Sequence, residues 1–491
     1  MGLFNRKAKA PTQTSTTNKN ISEKPGGSSA TASDGALPQY NHNGHAVTPG
    51  IHPDGESGRR GIDPLHFLRI VSRSSCRVSS WVNVLWPFVP AAIALHFVHG
   101  DHHLWTFAIN YIAMIPAANL LGFAGQEFAR KLPKVAGILI ETTLGSVVEI
   151  VLFMVLIAKD NGTGESGHGN KIQVIQAAIL GSILTNLLLC LGFCFLIGGF
   201  KHKEQKFHPV ISEVGSGIIL VAGFALMIPS AFFSSLIGST VTSGEGYTED
   251  RLRSDTLSIS HGVSIILIVS FILYLLYNCV SHDNIFAEVL EADEEADRDR
   301  HIDLQKAKLT LTECLAAIVF ALALISLIAV FLVEEIEYVV EHGVPDNFLG
   351  LILVPLVEKA AEHLTAVDEA YDNQINFALY HCLGPSIQTA LFNAPLVVIV
   401  GWGLGKPMDL NFEIFMVVLL IVAILVVGNF LRDGSSNYLE GGLLVIVYII
   451  IAVTAWYYPN AELTTSNGRA STETAGEGTE ALVNAAKMLM S

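Results

Sequence analysis

Apolar positions in this chain come in runs too long for the interior of a soluble domain. Eleven stretches of mostly apolar residues follow one another, at 81–98, 104–123, 135–158, 172–197, 210–237, 257–280, 309–333, 348–370, 375–402, 412–431 and 439–458. Most approach the roughly 20 residues that a helix needs to cross a bilayer core. Lipid offers the backbone no hydrogen bonds, so each run is expected to be a helix. The expected fold class is therefore an all-α polytopic membrane protein with about 11 transmembrane helices.

The polar interruptions organise these runs. The segment Glu288 to Asp303, EVLEADEEADRDRHID, holds eight acids against two arginines. It reads as a solvated segment between two halves, with a cation sensor or autoregulatory segment as the alternative. Each half has five spans, and in each the second span carries carboxylates and the third a Gly-containing polar cluster. An odd number of spans per repeat forces opposite orientations, which gives two inverted five-helix repeats plus one extra N-terminal helix. The expected divisions are a disordered cytosolic tail at 1–61, the first span and flanks at 62–103, a first repeat at 104–285, an acidic cytosolic loop at 286–308, a second repeat at 309–459 and a C-terminal tail at 460–491.

Charge sets the orientation. Arg69, Arg73, Arg77, Arg130, Lys131, Lys134, Lys201, Lys203, Lys206 and Arg432 all fall on one side if the N-terminus is cytosolic. Asn161-Gly-Thr163 would then be a luminal glycosylation sequon, and His99, His102 and His103 a luminal cluster able to sense pH. Composition agrees with a bilayer: 51% of residues are hydrophobic and 15% charged, more apolar surface than an interior can absorb. A net charge of −16 excludes a nucleic-acid partner. Five of the six cysteines lie in or beside apolar spans as small hydrophobes, with no disulfide framework or zinc spacing.

Ionisable residues inside the spans carry the chemistry, because each costs on the order of 2.5–3.5 kcal/mol at mid-bilayer on insertion scales. The first half holds Glu141, Gly145, Ser146 and Glu149, where the spacing by four puts Glu141, Gly145 and Glu149 on one helix face. The second half holds Glu358, Lys359, Glu362 and His363; Glu358 and Lys359 could neutralise each other as a structural pair. Ser182 and Asn186, then Ser386 and Gln388, add neutral donors beside helix breakers in the next span of each half. Carboxylate, amide and carbonyl oxygens suit hard cations. HExxH, GxSxG and paired catalytic aspartates are missing from the sequence, which speaks against a membrane-embedded enzyme.

The segments GSVVE, EKAAEH, QAAILGSILTNLLLCLG, LGPSIQTALFNAPL and DGSSNYLEG, in that set of spans, resemble the CAX cation/proton exchangers of the calcium/cation antiporter superfamily. The resemblance covers about residues 104–458. It implies one exchanging glutamate per repeat, Glu149 and Glu362, binding cation and protons in turn. It also implies that Gly145, Ser146, Ser182, Asn186, Ser386 and Gln388 line the cation site. Glu141, Ser146, Glu358, Lys359 and Pro385 depart from the family's usual residues, so Glu141, Glu358 and Lys359, with His363, are taken as modulating. The departures resemble a fungal vacuolar-type branch that includes sodium and potassium exchangers.

The expected function is cation/proton antiport, moving calcium or a monovalent sodium or potassium ion into an acidic organelle such as the vacuole. The expected partners are that cation, protons and the lipid bilayer, with no cofactor; a homo-oligomer is compatible with the sequence. The competing reading is a non-transporting sensor or scaffold descended from an exchanger.

Overall fold

A computed structural model describes residues 40–41, 43–74, 76–98, 102–160, 171–239, 247–297 and 300–458. The sequon at Asn161, His99 and the tails at 1–39 and 460–491 lie outside them. The described chain opens with a short helix, α1 (Pro64–Val71), started by the Asp63 carboxylate, which accepts hydrogen bonds from the Leu65 and His66 amides. The first apolar run forms α2, a helical rod at 77–96 broken at Trp86–Pro87; Pro90 falls in the first turn of its second piece, Phe88–His96, where a missing N–H is tolerated.

The first repeat follows as α3 (His103–Ala129), α4 (Lys134–Lys159), α5 (Lys171–Lys201), α6 (Pro209–Ser239) and α7 (Glu249–Ser281). Two short helices come next, α8 (Asp283–Ala296) and α9 (Arg300–Gln305). The second repeat is α10 (Leu311–Glu341), α11 at 346–371, α12 (Ile375–Gly403), α13 (Ile414–Asp433) and α14 (Tyr438–Tyr457). Nine described helices are long and apolar enough to cross a membrane. The broken α2 and the charge-interrupted α11 complete the eleven expected runs.

The pairing of helices carries the inverted repeat. α3 packs on its counterpart α10, and α6 on its counterpart α13. The contact of α5 with α14 is matched by that of α12 with α7, and the contact of α4 with α12 by that of α11 with α5. Exchanging the halves leaves this pattern unchanged, as a two-fold axis in the membrane plane requires. A two-residue antiparallel ladder between β1 (Gln205–Lys206) and β2 (Ser435–Ser436) joins the α5–α6 loop of the first repeat to the α13–α14 loop of the second. Apolar residues on α7 and α14 such as Ile266, Leu273, Ile450 and Val453 stay exposed, as a lipid-facing surface requires.

Two expectations change at the loops. The N-terminal tail is ordered well before residue 62: the Lys131 ammonium donates to the carbonyls of Gly55 and Leu309 at 2.7 Å each, and Arg59 pairs with buried Glu313 at 3.1 Å. Buried cations need acceptors, and this stretch of tail supplies one. The acidic segment is helical and docked rather than merely solvated. Its Asp293 is buried and accepts from the Asn376 amide at 2.7 Å and the Phe377 amide at 3.2 Å, capping the start of α12 from another element. Lys134 holds Glu294 at 2.9 Å.

Candidate cation site between the repeats

The middle of α4 turns Gly145, Ser146 and Glu149 inward, and α11 does the same with Glu358, Lys359 and His363. Lys359 Nζ lies 3.3 Å from Glu149 Oε2 and 3.6 Å from Glu362 Oε2. It also lies 3.5 Å from Ser146 Oγ. The carboxylates of the two repeats thus meet around one ammonium, which is a compact point charge standing where a free monovalent cation could stand. Lys359 does not pair with Glu358, contrary to expectation. One helical residue turns a side chain by about 100°, so neighbours point apart while residues three apart converge.

Each repeat adds polar groups through the same device. In α12 the turn Thr389–Asn393 is π-helical, as is Thr185–Cys190 in α5. Such wide turns leave some backbone and side-chain groups free to aim sideways and occur often at functional sites. Thr389 Oγ1 donates to Glu149 at 3.0 Å, and Asn393 Nδ2 donates to the same carboxylate at 3.1 Å. Asn186 Oδ1 lies 2.9 Å from His363 Nε2, and Ser182 Oγ 3.5 Å from Thr389 Oγ1.

Two glycines permit the approach. A methyl group built on Gly145 would collide with Glu362 Oε1, and one on Gly181 with the Leu351 carbonyl. The Glu362 carboxylate therefore occupies space that only glycine at 145 leaves open.

Among the sequence-derived candidates, Glu149, Glu362, Gly145, Ser146 and Lys359 come together, with Ser182, Asn186 and His363 at the edge. Ser386 is buried but donates to the Cys382 carbonyl of its own helix at 2.8 Å. Gln388 is buried, and its Nε2 has no hydrogen-bond partner among the described residues. Neither oxygen of buried Glu358 has one either. Glu141 leaves the central group and faces His381, 3.4 Å away. His381 in turn lies 2.8 Å from Glu369. These three line the inner wall of a cleft of about 230 Å³ that also includes Lys134, Asp368 and Asp372.

Thr389, Asn393, His381 and Glu369 were not among the candidates. Asn393 carried a usable signal, as an amide inside LFNAPL just ahead of a proline. Thr389 carried none, since threonine in an apolar helix usually bonds its own backbone.

Residues 102–280 and 314–457 match the family model described as sodium/calcium exchanger protein. A vacuolar calcium ion transporter of Cryptococcus neoformans var. grubii is 30% identical over 475 residues, spanning 81% of this chain and 77% of that protein. Vacuolar cation/proton exchanger 2 of Arabidopsis thaliana is 32% identical over 378 residues, spanning 76% of this chain and 80% of that one. Among solved structures, native YfkE superposes with a TM-score of 0.58 at 25% identity, covering 77% of this chain and 100% of that one. The crystal structure of an H+/Ca2+ exchanger CAX gives a TM-score of 0.55 at 14% identity, over 79% and 90% of the two chains, a likeness of fold.

Proposed function

This chain belongs to the sodium/calcium exchanger protein family, and from that premise we propose that it is a secondary active antiporter of the vacuolar membrane, exchanging a cytosolic cation for luminal protons. One observation carries this reading: buried acids from oppositely oriented repeats, Glu149 and Glu362, share a single ammonium within 3.6 Å. A pocket that holds one cation between two carboxylates can hold another.

In the proposed cycle the two carboxylates are either ionised around a cation or protonated and neutral, and only these filled forms reorient between the faces. The basic-loop face, with Arg130, Lys134 and Lys201, is the cytosolic one, and the cleft leading to Glu141, His381 and Glu369 opens there. From the cytosol the acids release protons and take the ion; at the acidic lumen protons return and the ion leaves. Since one site serves both ligands in turn, the fluxes are coupled.

The ion is the finer question. The relatives above are named for calcium or for cations at large, while Lys359 favours a monovalent ion. A charge about 4 Å away acts with about 4 kcal/mol per unit of ion charge at an effective dielectric of about 20, and twice that on a divalent ion. On this reading Lys359 is a resident cation that lowers the charge the pocket asks of its cargo. Sealed vesicles with an imposed pH gradient, tested with calcium, sodium, potassium and manganese in turn, distinguish the cases. The reading expects pH-driven uptake of at least one ion; an absence of uptake for all four, with the protein inserted, would favour the sensor or scaffold.

A further inference from the structure

Three buried thiols lie off the carboxylate pocket and have no part in the exchange cycle. Cys382 Sγ is 3.5 Å from Cys190 Sγ and 4.0 Å from Cys194 Sγ, and all three sulfurs fall within 4.8 Å of one another. All three residues are fully buried. Two come from α5 in the first repeat and one from α12 in the second.

A point equidistant from the three sulfurs lies no more than roughly 2.4 Å from each, against about 2.3 Å for a zinc–thiolate bond. The triangle thus already has the dimensions of a three-sulfur metal site, with a fourth position above its plane. Soft thiolate ligands select Cu+, Zn2+ and their heavier congeners over hard cations.

The position along the helices supplies a second observation. On α5, Asn186, Cys190 and Cys194 recur every four residues. On α12, Cys382 lies four residues before Ser386. The two helices run in opposite directions, so both displacements lead from the carboxylate pocket toward the same membrane face, by about 6 Å per four residues. His381, beside Cys382 in sequence, lines the cleft that opens on that face. The thiols therefore stand on the same side of the carboxylate pocket as the cleft, buried behind its lining.

We propose that Cys190, Cys194 and Cys382 form a binding site for a soft, thiophilic metal cation, separate from the carboxylate pair and bridging the two repeats. Binding replaces each S–H bond by a metal–sulfur bond and releases the thiol protons to solvent; no electrons change hands. A divalent ion with three thiolates leaves a net charge of −1. Because its ligands belong to both repeats, the bound metal staples α5 to α12 and resists their separation.

The test uses the full-length protein in lipid nanodiscs, with Cd2+ as the probe and Cys279→Ala as background to remove an exposed thiol. The expected result is one Cd2+ per chain with a sulfur-to-cadmium charge-transfer band, release of about three protons per metal, and a rise in unfolding temperature. Cys190→Ala or Cys382→Ala weakens this binding by more than about tenfold, since even outer partners of a metal ligand are worth 10–100-fold. Cys382→Ser, closer in size, carries the test if the alanine form does not fold. The double variant Glu149→Gln, Glu362→Gln retains the site. No charge-transfer band at saturating Cd2+, a band that survives loss of Cys190 or Cys382, or cadmium binding that disappears with the glutamates overturns the proposal.

Discussion

The two glutamates that share Lys359 are equivalent by repeat but not by surroundings. Glu149 is fully buried and held by Thr389, Asn393 and Lys359, with both hydroxyl and amide donated from the opposite repeat. Glu362 keeps 12% of its side chain exposed, and its oxygens have Lys359 as ion-pair partner and no hydrogen bond among the described residues. A carboxylate with fixed donors has its charge stabilised in place, whereas one with a single flexible counter-charge can exchange that partner at lower cost. Within the proposed cycle this difference assigns a division of labour: Glu149 would anchor the pocket, and Glu362 would be the member that gives up its partner to a proton or an ion.

The largest expected effect comes from removing what the two acids share. Lys359→Met leaves two buried carboxylates facing each other, a loss of about 3–5 kcal/mol for breaking a buried pair. Thermal unfolding without added cation should fall sharply and recover when a divalent ion is supplied, and uptake in vesicles should shift from monovalent toward divalent cargo. An unchanged ion preference would remove the resident-cation reading.

Thr389→Val deletes a donor to Glu149 alone and should cost about 1.5–3 kcal/mol, the range for hydrogen bonds to a charged group. It is read as a roughly tenfold or greater rise in the cation concentration for half-maximal uptake. Gly145→Ala acts on the other acid, pressing a methyl into the space of Glu362 Oε1. Overpacking of about 1–3 kcal/mol is expected, with transport reduced more than protein yield; equal losses of both would mean that the glycine serves only packing. The smallest effect belongs to Asp293→Ala, which uncaps the helix that carries Thr389 and Asn393. About 1 kcal/mol of stability should be lost, visible in unfolding temperature, with ion preference unchanged.

The apolar runs made the helices legible, because a bilayer imposes a length that a sequence must meet. The expected spans 172–197 and 375–402 correspond to α5 (Lys171–Lys201) and α12 (Ile375–Gly403). The buried charges that meet between the repeats were legible for the opposite reason, since charge in lipid is costly and stands out: Glu149, Lys359 and Glu362 come together. What stayed hidden depends on three dimensions. The π-turns that aim Thr389 and Asn393 at Glu149 have no period of their own in the sequence. The partner of Lys359 was misjudged because adjacency in sequence suggested Glu358, while helix geometry joins Lys359 to Glu362 and to a helix some 200 positions earlier. Asp293 was hidden inside an acidic run whose other members favour solvent.

The claim on which the account rests is that Glu149 and Glu362 carry cation and protons alternately through one pocket. It is tested most directly by following cation uptake and proton release together in sealed vesicles carrying the wild type, Glu149→Gln or Glu362→Gln at matched protein levels. The account predicts coupled fluxes in the wild type and loss of both fluxes in each variant. Cation-dependent proton release at the wild-type rate in either variant would contradict it.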